Sequence, residues 1–141
     1  MLGHLVALTW RFTADGEEIY AIAPYGEPVS EVSGASGYRP RRAAETGIEG
    51  WACVDDVARA VLLALELAET RASEAGEDEA DRDALLWVRR WAAFLRYMQL
   101  PDGQFVTFVL DAEGRRNLDG ATSAPGGATN PTGTPQSGST P

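Results

Sequence analysis

Residues 47–70 read GIEGWACVDDVARAVLLALELAET. A loop bearing Gly and Trp runs into two adjacent carboxylates, Asp55 and Asp56, and then into a long apolar stretch. The pattern predicts a helix from Asp55 to about Thr70. On a helical wheel Asp55, Asp56, Arg59, Glu66 and Glu69 share one stripe, while Val57, Val61, Leu62, Leu63, Leu65 and Leu67 cover the remainder. A helix apolar over most of its circumference expects neighbours on several sides, so this stretch predicts a mainly α fold with this helix buried inside it.

Downstream, Ala75-Gly76-Glu77-Asp78-Glu79 is an acidic, solvated loop, and Asp81 offers an N-cap for a second helix reaching about Gln99. Arg82, Arg89 and Arg96 recur every seven residues on one face of that helix. Ala84, Trp87, Trp91, Phe94, Leu95 and Met98 occupy the other, as expected of an outer helix with one wet side. Pro101-Asp102-Gly103 then reads as a turn, because Pro fixes φ and Gly accepts a positive one. Phe105 to Leu110 reads as a strand, folding back at Asp111-Ala112-Glu113-Gly114 to pair with Arg115-Arg116-Asn117.

Upstream, Leu2 to Phe12 predicts a short helix ended by a turn at Asp15-Gly16. From Tyr20 to Glu49, Pro and Gly interrupt every periodic pattern, which predicts a long irregular connection. Residues 123–141 hold no charge and nothing apolar larger than Ala, and this composition predicts a disordered Pro/Gly/Ser/Thr tail. The expected organisation is one domain over residues 1–122, of about three helices and a short hairpin, followed by that tail.

Charge narrows the function. A formal net charge of -9 disfavours nucleic acid and anionic membranes, which reward clustered positive charge. All twelve basic residues are Arg, a mark of GC-rich coding rather than of chemistry. The longest apolar run, Val61 to Leu65, is far shorter than the roughly 20 residues that cross a bilayer. One Cys and one His form no recognisable zinc site, and no cofactor is implied. A single cysteine and the lack of a charged segment leading into an apolar one at the start make the cytoplasm the expected location.

Two readings stay open for Asp55 and Asp56. In one they cap the helix, with Asp55 paired to Arg59 one turn on. In the other they accept hydrogen bonds from ligand hydroxyls beside an aromatic loop. As a glycosidase couple they are poor, since catalytic carboxyls flank a bond from two sides at about 5–9.5 Å, and no catalytic residue is assigned. Trp51 is either a cover on the core or a platform for a sugar ring. Trp87 and Trp91 read as core, Cys53 as a small buried hydrophobe, His4 as structural, and Arg115 and Arg116 as solvated charges.

The blocks His4-Leu5 with Leu8-Thr9, Glu49-Gly50-Trp51-Ala52-Cys53-Val54-Asp55-Asp56-Val57-Ala58-Arg59-Ala60, and Gln99-Leu100-Pro101-Asp102-Gly103-Gln104-Phe105 with Arg115-Arg116-Asn117 together resemble one repeat of a six-hairpin glycosidase-like α/α toroid. Such domains belong to bacterial carbohydrate-active proteins. The likeness implies a neutral oligosaccharide or polysaccharide as ligand, bound by Trp51, Asp55, Asp56 and Arg59 at the mouth of the ring. Similar proteins usually carry Asn where Val57 stands. A complete ring needs many more helices than the about three offered here. The resemblance therefore implies an N-terminal portion that is inactive alone, either truncated or completed by a protein partner. The rival reading is a non-catalytic helical module that docks onto a partner chain. Terpenoid-cyclase-type toroids share a QxxDGxF turn, but the DxDD or DDxxD motif that reading wants is not in the sequence.

Overall fold

A computed structural model of the chain describes residues 2–28, 38–40, 50–74, 79–118 and 122–123. In chain order the elements are α1 (Gly3–Ala7), β1 (Thr9–Ala14), β2 (Glu17–Ile22), β3 (Gly26–Pro28), β4 (Tyr38–Pro40), β5 (Ala52–Cys53), α2 (Val54–Glu74), α3 (Glu79–Met98), β6 (Phe105–Val106), β7 (Phe108–Val109) and β8 (Thr122–Ser123). The strands form four antiparallel pairs, β1–β2, β3–β4, β5–β7 and β6–β8. About 47% of the described residues are helical and 27% lie in strands, and no toroid is evident. The expectation of a mainly α, partial-toroid fold is therefore overturned. A single long helical hairpin, α2 against α3, packs with β-hairpin elements where further helical hairpins were expected.

The N-terminal segment accounts for much of the difference. The helix expected over Leu2 to Phe12 stops at Ala7, and Thr9–Ala14 is a strand. Its β-branched and aromatic residues alternate, with Phe12 buried between exposed Arg11 and Thr13. Asp15 and Gly16 both have positive φ, +51° and +80°, and close a two-residue hairpin that pairs Ala14 with Glu17 and Thr9 with Ile22. An Asp-Gly pair in such a setting favours the turn whose twist matches that of the flanking strands. Strands β2, β3 and β4 also occupy parts of the connection expected to be irregular, of which residues 29–37 and 41–49 lie outside the described residues.

Both long helices sit close to their expected ranges. Helix α3 begins at Glu79, so Asp81 lies within it and not at its cap. Its packed face is as expected, with Ala84, Trp91, Phe94 and Met98 buried. Helix α2 differs. Val57, Ala60, Ala64 and Ala68 are buried, whereas Leu62 is 66% exposed and Leu65 36%. The small side chains at i, i+4 and i+8 allow close approach to α3, and the leucines are left on the opposite side. The expectation that α2 is buried on most sides is thus corrected.

The core joins these layers. Phe12, Ile19, Ala21 and Ile22 from the first hairpin meet Val57, Ala60 and Ala64 of α2, Trp91, Phe94 and Met98 of α3, and Val106 and Val109 beyond the turn. Trp91 Nε1 donates to Thr9 Oγ1 at 3.3 Å, and Thr9 Oγ1 donates to the Leu5 carbonyl at 2.8 Å, tying α3 to the N-terminal segment. The turn at Pro101-Asp102-Gly103 forms as expected: Gly103 has φ +88°, and the Gln104 amide donates to Asp102 Oδ1 at 3.0 Å. The return of the chain onto β7 also forms, with Val109 bridged to Arg116 and the Asn117 amide donating to the Phe108 carbonyl at 2.9 Å. Ser123, the first residue of the expected tail, pairs with Phe105 in β8, and residues 124–141 lie outside the described residues. No helix among the described residues is long and apolar enough to cross a membrane.

Candidate functional site

Three backbone contacts fix how the chain enters α2. The Trp51 amide donates to the Val109 carbonyl at 2.7 Å, Ala52 and Cys53 pair with Val109 and Phe108, and the Val54 amide donates to the Thr107 carbonyl at 3.0 Å. Gly50 makes this approach feasible, since a Cβ there would run into the Val109 carbonyl. With the entry clamped on β7, Asp55 and Asp56 fall in the first turn of α2, where carboxylates complement the helix dipole. They follow the helix start at Val54 and so do not cap it.

Their partner also differs from expectation. Arg59 NH1 donates to Asp56 Oδ1 at 3.5 Å, an i,i+3 pair, in place of the anticipated Asp55 pairing. The contact is long, and its side chains are 77% and 40% exposed for Arg59 and Asp56, so it orients the groups and holds them only loosely.

Asp55, Asp56 and Arg59 line one recess of about 220 Å³. Its other walls include Tyr25, Phe108 and Cys53. Tyr25 and Phe108 are aromatic surfaces that the sequence reading missed. The pairing of β5 with β7 brings Phe108 beside Cys53, a contact between segments far apart in sequence that no local pattern reveals. Trp51 is not part of this recess. Its ring is half-buried and packs against Trp10 at 6.2 Å, tilted by 58°. Of the four residues implicated, the structure brings together three and separates Trp51 from them.

Cys53 is half-buried, and burial pushes its thiol above the ordinary value, with the neighbouring Asp55 and Asp56 charges adding to the rise. Backbone hydrogen bonds from Asp55 and Asp56 act in the opposite sense and do not cancel it. The thiol is therefore held protonated near neutral pH and lines the recess as a small, weakly polar group. Val57 is completely buried and presents nothing polar to the recess.

A second recess of about 350 Å³ adjoins the first, and the two share Pro24, Asp56 and Arg59. Leu5, Leu8, Ile22 and Leu63 give it an apolar lining. Elsewhere, His4 is exposed and meets the Tyr38 ring edge-on at 5.3 Å. Arg115 is exposed and paired with Asp111 at 3.1 Å. Arg116 corrects its expected role as a solvated charge: half-buried, it donates to the Tyr97 carbonyl at 3.0 Å and lies over the Tyr97 ring.

No protein-family model matches this chain, and no curated protein does either.

Proposed function

We propose that the chain binds a neutral carbohydrate in the recess at the start of α2. Asp55 and Asp56 accept hydrogen bonds from ring hydroxyls, Arg59 donates to a ring or hydroxyl oxygen, and Tyr25 or Phe108 supplies an apolar face. The observation that carries this reading is the convergence of two carboxylates, one guanidinium and two aromatic rings on one recess of about 220 Å³. Drug-sized ligands occupy sites of ~300–1,000 Å³, so a recess of this size suits one sugar unit, the end of an oligosaccharide or polysaccharide. Adjacent carboxylates on one helix turn do not flank a glycosidic bond, and the proposal is of binding rather than hydrolysis. A cytoplasmic setting accompanies it, supported by the single unpaired Cys53.

The test is a titration of the isotope-labelled chain with neutral mono- and oligosaccharides followed by NMR. Shifts confined to Gly50, Cys53, Asp55 and Phe108 are expected, together with weakened binding in Asp55→Asn. Indifference of these resonances to every sugar at millimolar concentration would reject the reading.

A second reading, that the helical hairpin is a non-catalytic module docking onto a partner chain, is favoured by Leu62 and Leu65 standing exposed on α2. Light scattering after size exclusion discriminates. A clean monomer with one cooperative melt counts against it.

A further inference from the structure

The apolar recess beside the candidate sugar site has no role in the reading above. It lies between α1, the end of β2 and α2, and Leu5, Leu8, Ile22 and Leu63 line it. Its boundary with the polar recess consists of Pro24, Asp56 and Arg59, which belong to both. A ligand whose sugar hydrogen-bonds Asp55 and Asp56 therefore lies next to the apolar trough, with Arg59 lining both. The volume of about 350 Å³ exceeds the ~150 Å³ that suffices for a benzene ring in an apolar cavity.

We propose that the site recognises a glycoside carrying an apolar aglycone, with the sugar in the polar recess and a short alkyl or aryl group against Leu5, Leu8, Ile22 and Leu63. This rests on the carbohydrate reading and narrows its ligand class. Two observations point to this occupant. The recesses share Pro24, Asp56 and Arg59, and outside these shared groups one recess carries Asp55 with the Tyr25 and Phe108 rings while the other carries only aliphatic side chains. The shared groups are then the ones that would meet a glycosidic oxygen. Arg59 lines both recesses, and an arginine side chain can donate from its guanidinium while its aliphatic stem lies along apolar surface. A free sugar fills only the polar half, and a simple hydrocarbon only the apolar one.

The experiment pairs methyl and hexyl glycosides of glucose, galactose and mannose, each kept below its micelle concentration, and follows binding by NMR on the whole chain. Each buried methylene tightens binding roughly fourfold. For at least one sugar the hexyl glycoside should bind at least ten times more tightly than the methyl one, and its added shifts should fall on Ala23, Ala60 and Leu63. Leu63→Asn should remove this advantage and leave the methyl glycoside unaffected. Equal affinity of a methyl and hexyl pair would overturn the proposal while the sugar reading stands. If 1-hexanol alone binds as tightly as the hexyl glycosides, or if no glycoside binds, both fail together. Because the central comparison is between ligands on the unaltered chain, it holds even if Leu63→Asn does not fold.

Discussion

The backbone of Gly50 lies against the carbonyl oxygen of Val109, leaving no space for a side chain between them. Through this contact β7 holds the entry to α2, and with it Asp55 and Asp56. Gly50→Ala forces β5 away from β7, and overpacking of this kind costs ~1–3 kcal/mol. Urea unfolding should show that loss, and sugar binding should weaken alongside it. A variant of unchanged stability would show that the clamp is slack.

Gly114 and Gly103 provide a controlled pair. Both have φ of +88°, but a Cβ at Gly114 would enter the Phe12 ring, whereas at Gly103 nothing lies within 4 Å. Gly103→Ala should cost only the conformational strain of ~1–2 kcal/mol. Gly114→Ala adds a steric collision in the core and disturbs the carbonyl that accepts the Tyr97 hydroxyl at 2.6 Å. Its melting temperature should fall clearly below that of Gly103→Ala, and equal effects would contradict the packing described.

Much of the helical hairpin was legible in the sequence, because a seven-residue recurrence of Ala84, Trp91 and Met98 fixes one face of α3 whatever surrounds it. The face of α2 was not. Leucine and alanine both read as apolar on a wheel, and only contact with α3 shows that Ala60 and Ala64 are inside while Leu62 is outside. The Asp15-Gly16 turn was present as a local signal, but it was read as the end of a short helix over Leu2 to Phe12 and not as the tip of a hairpin. For the site, the position of Asp55 and Asp56 at the tip of α2 was readable from local order. Phe108 and Tyr25 reach it through long-range pairing and folding that local order does not encode. The consequence for α2 is measurable. Leu62→Ala should change stability by less than ~0.5 kcal/mol, and Ala64→Leu should cost ~1–3 kcal/mol. Reversal of that order would restore the expected face.

Burial raises the Cys53 thiol above its ordinary value, and the sign of the effect on stability follows. The folded chain keeps this proton at a pH where the unfolded chain loses it. The contribution is therefore complete below about pH 8.5, the value for a free thiol, and is lost as pH rises through the higher folded value. Iodoacetamide labelling should accelerate at a higher pH in the native chain than in urea. Stability measured from pH 8 upward should decline less in Cys53→Ala than in the unaltered chain, and identical slopes would remove this account.

The pair formed by Asp56 and Arg59 separates binding from stability. Both side chains are well exposed, and a contact of 3.5 Å in that setting contributes at most ~1 kcal/mol. Asp56→Asn also gives up a favourable charge in the first turn of α2, worth ~0.3–1 kcal/mol, so the melting temperature should shift only slightly. Affinity responds differently, because a carboxylate that accepts a ligand hydroxyl forms one of the stronger classes of hydrogen bond, at ~1.5–3 kcal/mol. Asp56→Asn should therefore weaken sugar binding on the order of tenfold or more. The Arg11–Glu18 pair, at 3.1 Å on the β1–β2 hairpin, is an exposed ion pair away from the recess and serves as the reference. Arg11→Gln should alter neither property by more than a small amount. If Asp56→Asn behaves like Arg11→Gln in calorimetric titration, Asp56 is a helix-terminal charge and nothing more, and hydroxyl recognition at this recess has to pass to Asp55.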